Sequence, residues 1–182
     1  MKARPLVAQS SPNLLRAEGE SERGSLEMQG SHESATADVD LFRGLVAEAP
    51  DAVIFADCDG TIQVWNRGAE RLFGYAAAEV VGASLDVIIP DRLRRAHWDG
   101  YHRAIDSGRT KHGNRVLTTR SVHKDGRKLY VDLSFGLVRD RAGTVVGAMA
   151  MGRDGTARYV SDQALRARIV ELEQKVKTAK DG

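Results

Sequence analysis

The stretch AHWDGYH, residues 96–102, sets His97 beside two aromatics, Trp98 and Tyr101, with a second histidine at 102. Imidazole can serve as a neutral metal ligand and can change charge near neutral pH. Residues 91–107 read as one helix that ends at Ser107-Gly108. Along it Leu93, His97, Tyr101 and then Ala104 or Ile105 recur about every four positions, so they share a face. Arg92, Arg95, Asp99, His102 and Arg103 fall mainly on other faces. If Leu93 and Ile105 face the core, His97 faces it too. A buried imidazole needs a hydrogen bond or a metal, because burial without a partner costs about 2 kcal/mol or more. Two readings stay open: His97 is a ligand for something held inside the protein, or it bonds a backbone carbonyl and packs on Tyr101.

Other chemistry is sparse. Cys58 is the single cysteine of 182 residues, which excludes an internal disulfide and any multi-cysteine metal site. His102, His112 and His123 have no metal-binding spacing and are expected to face solvent. His97 and His102, five apart, diverge by roughly 140° around a helix. Net charge is +2, and the basic runs RRAH and RTKHGNR lack interleaved aromatics, so no nucleic-acid partner is expected. No G-x-S-x-G, H-E-x-x-H or P-loop is present, and the chain is not expected to be an enzyme. No apolar run approaches the roughly 18 residues of a membrane span, and the N-terminus lacks a signal-peptide core. A cytoplasmic protein with no membrane partner is expected.

Three segments follow from composition and patterning. Residues 1–38, rich in Ser, Glu and Gly, are expected to be a disordered N-terminal arm. Residues 39–158 hold the ordered domain. A helix at VDLFRGLVAEAP stops at Pro50, and AVIFAD (52–57) and TIQVW (61–65) form a hairpin around an Asp-Gly turn. Short helices cover NRGAERLFGY, AAAEVVG and SLDVIIP, with Asn66 as a cap and Trp65 closing the core. After the helix at 91–107 come three strand-like runs, 115–122, 128–138 and 144–151. The expected fold class is α+β: one five-stranded antiparallel sheet with short helices on one face, enclosing space for a small ligand. In residues 159–182, Leu165, Ile169, Leu172 and Val176 recur at 4, 3 and 4, the seam of a C-terminal coiled-coil helix for signalling or dimerisation. A homodimer through the domain and this helix is expected. The alternative is a helix packed back on its own sheet.

The run AEAPDAVIFADCDGTIQVWNRGAERLFGY, with AEVVGASL, IIP, HKDGRKLYVDLSF and GAMAMGRDGT, resembles a PAS domain of the S-box type over about residues 40–158. That resemblance implies the PAS fold and a sensory or interaction role without catalysis. The exit Arg153-Asp154-Gly155-Thr156 is similar to the family's joint to a signalling helix, with Asp154 and Thr156 as relay. Gly155 stands where a larger residue is usual, which implies a looser joint. IIPDRLRRAHWDGY is similar to the helix carrying the proximal histidine of haem-PAS oxygen sensors. By that match His97 is the axial ligand of haem b, through Nε2, and Tyr101 lines the pocket. The match places Leu117 where those sensors carry a distal arginine, with Arg115 nearby. Met149 and Met151, on one face of the last strand, are candidates for packing on the haem or for a sixth ligand. The alternatives are no cofactor, in a ligand-free dimerisation or docking module, or a noncovalent flavin or small metabolite. Cys58 does not match the reactive cysteine motif of flavin photosensors. No kinase, cyclase or DNA-binding motif accompanies the domain, so a separate output protein is an expected partner.

Overall fold

The computed structural model describes residues 37–111, 113 and 115–180. The expected arm, 1–38, lies outside them except for residues 37 and 38, which are helical. His112 lies outside as well. The chain divides into two compact units, Met1–Gly44 and Leu45–Gly182. In the first, residues 37–44 are the described part and are helical, with Arg43 paired to Asp40. They belong to α1, residues 37–48.

The second unit continues with β1 (Ala52–Asp57), β2 (Ile62–Trp65), α2 (Arg67–Phe73), α3 (Ala77–Val80) and a 3-10 turn at Leu85–Val87. Then follow α4 (Asp91–Ser107), β3 (Leu117–Val122), β4 (Lys128–Arg139), β5 (Val145–Asp154) and α5 (Thr156–Lys180). The five strands form one antiparallel sheet in the order β2-β1-β5-β4-β3. The last strand therefore lies at the centre and joins the β1–β2 hairpin to the β3–β4 hairpin. Each hairpin is closed by local chemistry. In the first turn Asp57 Oδ1 accepts from the backbone N–H groups of Asp59 and Thr61, and Gly60 takes φ 80°.

Strand alternation sorts the sheet into two faces. Ala52, Ile54 and Ala56 pair with Gly152, Ala150 and Ala148, which pair in turn with Leu133, Phe135 and Leu137. That face carries the core, in which Ile62, Phe73, Val80, Leu129 and Val131 are fully buried. Val53, Phe55, Met149 and Met151 occupy the other face, across from Ser134 and Gly136.

Asn66 ties the corner where β2 meets α2. Its Oδ1 accepts from Ala69 N at 2.9 Å, capping α2, and from Val53 N at 2.8 Å on β1. Its Nδ2 lies within bonding distance of the carbonyls of Val46, Ala49 and Asp51. Trp65 closes the core as expected, with Nε1 donating to Tyr75 O at 3.1 Å.

Helix α5 starts at Thr156, three residues ahead of the expected boundary at 159. Leu165, Ile169, Leu172 and Val176 along it are each about half exposed. The alternative of a helix folded back on its own sheet is therefore not what the structure shows for this seam.

Candidate functional site

Between α4 and the core face of the sheet lies a cavity of about 560 Å³. Pro90 and Gly108 bound α4, and the four-residue spacing read from the sequence turns Leu93, His97, Tyr101 and Ala104 toward the cavity. Ile54, Leu85, Ile88, Leu133 and Phe135 make most of the remaining wall apolar. The charged residues on the wall are Arg103, Lys111 and Arg120, with no Asp or Glu among the lining residues. Arg103, read from the sequence as facing elsewhere, thus belongs to the wall.

His97 Nδ1 is buried and has no hydrogen-bond partner among the described residues. Burial pushes the imidazole below its usual pKa; the Asp86 carboxylate acts in the opposite sense and His102 adds a small further lowering. His97 is therefore neutral at pH 7, with a lone pair available on one nitrogen. The hydrogen-bonded reading, in which a backbone carbonyl satisfies this side chain, does not hold at Nδ1.

The neighbours of His97 are spoken for. Trp98 packs edge-on at 5.0 Å between ring centroids and donates from Nε1 to Asp86 Oδ1 at 2.9 Å. A Cβ at Gly60 would fall 2.2 Å from the Trp98 ring, so the indole rests directly on the β1–β2 turn. Tyr101 donates its hydroxyl to Asp57 O at 2.5 Å, with Ala56 O at 3.1 Å. Burial raises the Tyr101 pKa to about 12. Tyr101 thus anchors α4 to the end of β1, and its ring rather than its hydroxyl is what it offers to the cavity. Two aromatic anchors beside His97 fix the helix that carries it.

The candidates on the sheet side are placed differently from expectation. Leu117 shares a face of β3 with Thr119 and Ser121, but those two line the cavity and Leu117 does not. Arg115, ahead of β3, is exposed and also off the wall. Met151 is 42% exposed and pairs with Val53 and Ser134 on the outer face. Met149 borders the cavity, yet its partners Phe55 and Gly136 put its side chain on that same outer face. A one-residue offset reverses the face of a strand residue, so Ala148 and Ala150, not the methionines, point inward. Neither thioether is positioned as a ligand. His123, expected to face solvent, has a side chain only 15% exposed; it pairs with Asp125 at 3.0 Å and packs over Gly74. His102 is exposed and stacks on Trp98. Cys58 stays in its turn, with Sγ 3.5 Å from Val145 O.

The joint to α5 contains the expected pair and several residues the sequence did not single out. Asp154 Oδ1 accepts from Thr156 N at 2.8 Å. Thr156 Oγ1 accepts from Tyr130 N at 3.0 Å, and Gly155 N donates to Tyr130 O at 2.8 Å. Arg158 reaches back to Asp132 on β4 at 2.6 Å and to Thr118 on β3 at 2.8 Å, and also meets Asp162. These bonds from Arg158 and Thr118 hold the Asp132 carboxyl below its usual range. Tyr159 stacks on Tyr130 at 3.7 Å. Gly155 does not loosen this joint: a Cβ there would fall 2.7 Å from the Asp132 carboxylate, so glycine is what lets the strand end approach it. Arg158 lies two residues past the exit read from the sequence, and only its helical reach back to the sheet reveals its part.

The family model for the PAS fold matches residues 40–155. The chain belongs to the PAS family. Among curated relatives, this PAS chain is 30% identical over 96 residues to the sensor protein FixL of Bradyrhizobium diazoefficiens, covering 52% of this chain and 19% of that one. It is 27% identical over 137 residues to the oxygen sensor protein DosP of Escherichia coli, covering 75% and 17%. The chain spans under a fifth of the length of these two relatives. Among solved structures, the PAS domain of a Colwellia psychrerythraea protein superposes with a TM-score of 0.57 at 22% identity, over 65% of this chain and 98% of that one. An RNA-binding light-oxygen-voltage receptor superposes with a TM-score of 0.60 at 26% identity, over 78% and 39%. The chain carries a PAS sensor domain, and among its described residues no helix is long and apolar enough to cross a membrane.

Proposed function

We propose that this PAS domain is a haem-binding gas or redox sensor in which His97 is the axial ligand of haem b. The observation that carries the reading is the neutral His97 imidazole, whose Nδ1 has no partner among the described residues, on a mostly apolar cavity wall. Haem, when bound, supplies an iron centre that takes up a small gas molecule or changes oxidation state. The chain's own residues fit such a group. His97 offers a lone pair without first losing a proton. Trp98 and Tyr101 hold its helix rigid against the β1–β2 turn. Arg103 and Lys111 bring cations to a wall that has no carboxylates, which suits a ligand with an apolar body and acidic substituents. Resemblance to an oxygen sensor supports the same reading.

Signal output follows the sheet. Thr119 and Ser121 line the cavity, and Thr118, just ahead of them on β3, bonds Arg158 of α5. A shift of β3 or β4 on ligand binding is passed through Asp132–Arg158 and Asp154–Thr156 to α5. Helix α5 alters a homodimer built on the PAS domain and the Leu165–Val176 seam, or a separate output protein. The second reading, a ligand-free dimerisation module, draws on that exposed seam alone.

The test is an absorption spectrum of protein expressed with haem precursor, beside His97→Ala. A Soret band in the wild type that the variant lacks is expected. A colourless wild type that takes up no added haemin overturns the reading, and a dimer that persists in that protein favours the second one.

A further inference from the structure

Two polar residues are buried in the described core, Asn66 and Ser121. Asn66 spends both ends of its amide on five protein partners. Ser121 is 6% exposed and lines the cavity, and none of the bonds among the described residues named above uses its hydroxyl. A polar group on a largely apolar cavity wall is where the orientation of a bound molecule is fixed. Ser121 is such a group. It pairs with Leu129, a fully buried residue of the core face, and it lines the same cavity as His97. The helical wall thus presents the unpartnered His97 Nδ1 and the sheet wall presents the Ser121 hydroxyl, with apolar side chains around both. Thr119, the other hydroxyl on this wall, already has Val131 O at 3.4 Å. Leu117, which aligns where haem-PAS sensors carry a distal arginine, is off the wall.

We infer that Ser121 is a ligand-contacting, specificity-determining residue: its hydroxyl donates a hydrogen bond to an acceptor atom on what the cavity holds. This rests on the haem reading of the site. The acceptor belongs either to the periphery of the haem, as a carboxylate oxygen, or to a small molecule bound at its iron. The chemistry at Ser121 is the same for both, a neutral O–H donor meeting an acceptor inside an apolar wall. Such a contact is stronger there than in water, and its loss leaves an enclosed acceptor unpaired.

The experiment compares wild type, Ser121→Ala and Ser121→Thr, each titrated with haemin and then, in the reduced loaded form, with oxygen and carbon monoxide. Ser121→Ala is expected to lose about threefold to tenfold in one quantity, the size of one hydrogen bond, and Ser121→Thr is expected to restore it. A loss in haemin affinity places the acceptor on the haem. A lowered ratio of oxygen to carbon monoxide affinity, with haemin affinity kept, places it on the bound gas. Loaded Ser121→Ala protein that matches wild type in both overturns the inference and leaves the haem reading intact. A wild type that takes up no haemin overturns both.

Discussion

Asn66 and His97 are both polar side chains turned inward, and they have opposite fates. Asn66 sits where three chain segments converge, and each of its atoms that can bond does so. His97 sits on a cavity and keeps Nδ1 unpartnered. The first arrangement stabilises the fold; the second raises its free energy. The difference lies in the surroundings. Backbone N–H and C=O groups crowd around Asn66, whereas apolar side chains surround His97.

The contrast predicts effects of opposite sign. Asn66→Ala strands two enclosed backbone donors, Val53 N and Ala69 N, and is expected to cost about 3 kcal/mol in urea unfolding. His97→Leu removes an unpartnered polar group from an apolar wall and is expected to raise stability by about 1 kcal/mol in the same assay, while abolishing haem uptake. Equal destabilisation by the two would erase the distinction.

Acid sharpens it further. The folded-state pKa of His97 lies below its unfolded value near 6.5, so folding favours the neutral form. The stability that depends on neutrality is present above pH 6.5 and is lost as pH falls through the folded pKa. Wild type is expected to lose stability over that range, and His97→Leu to lose less. Parallel curves for the two proteins would mean that His97 titrates freely.

The smallest effect belongs to the joint. Arg158 is an exposed partner, so Arg158→Ala is expected to leave the unfolding midpoint nearly unchanged. Hydrogen exchange over the first turns of α5 should nevertheless rise, because the bonds to Asp132 and Thr118 are among those that hold that end to the sheet. Unchanged exchange would remove Arg158 from the relay.

Much of this was legible in the sequence. The span of β1 and that of α4 follow from their punctuation: Pro50 and the Asp-Gly turn for the strand, Pro90 and Gly108 for the helix. The face of α4 followed from residues recurring about every four, because polar residues mark the other sides. The facing of β5 was not legible. VVGAMAMG is apolar at nearly every position, so alternation groups Met149 with Met151 but does not say which set points inward. The register against Ile54 and Ala56 decides it, and that is a long-range fact. In the structure the alanines of β5 face inward and leave the room the cavity occupies. Ser121 was hidden for a similar reason. A serine in a strand gives no sign of whether its hydroxyl has a partner until both neighbouring walls are in place.

The Arg158 tether has a consequence for rotation. A residue advances a helix by about 100°, so fixing one early side chain to the sheet fixes the angular phase of every later position on α5. Whatever is carried along that helix inherits an orientation set at Asp132 and Thr118. Lengthening α5 by seven residues would nearly preserve the phase, within about 20°. Lengthening it by three or four would swing the Leu165–Val176 seam to a different heading, and would turn a preserved fold into a misdirected output.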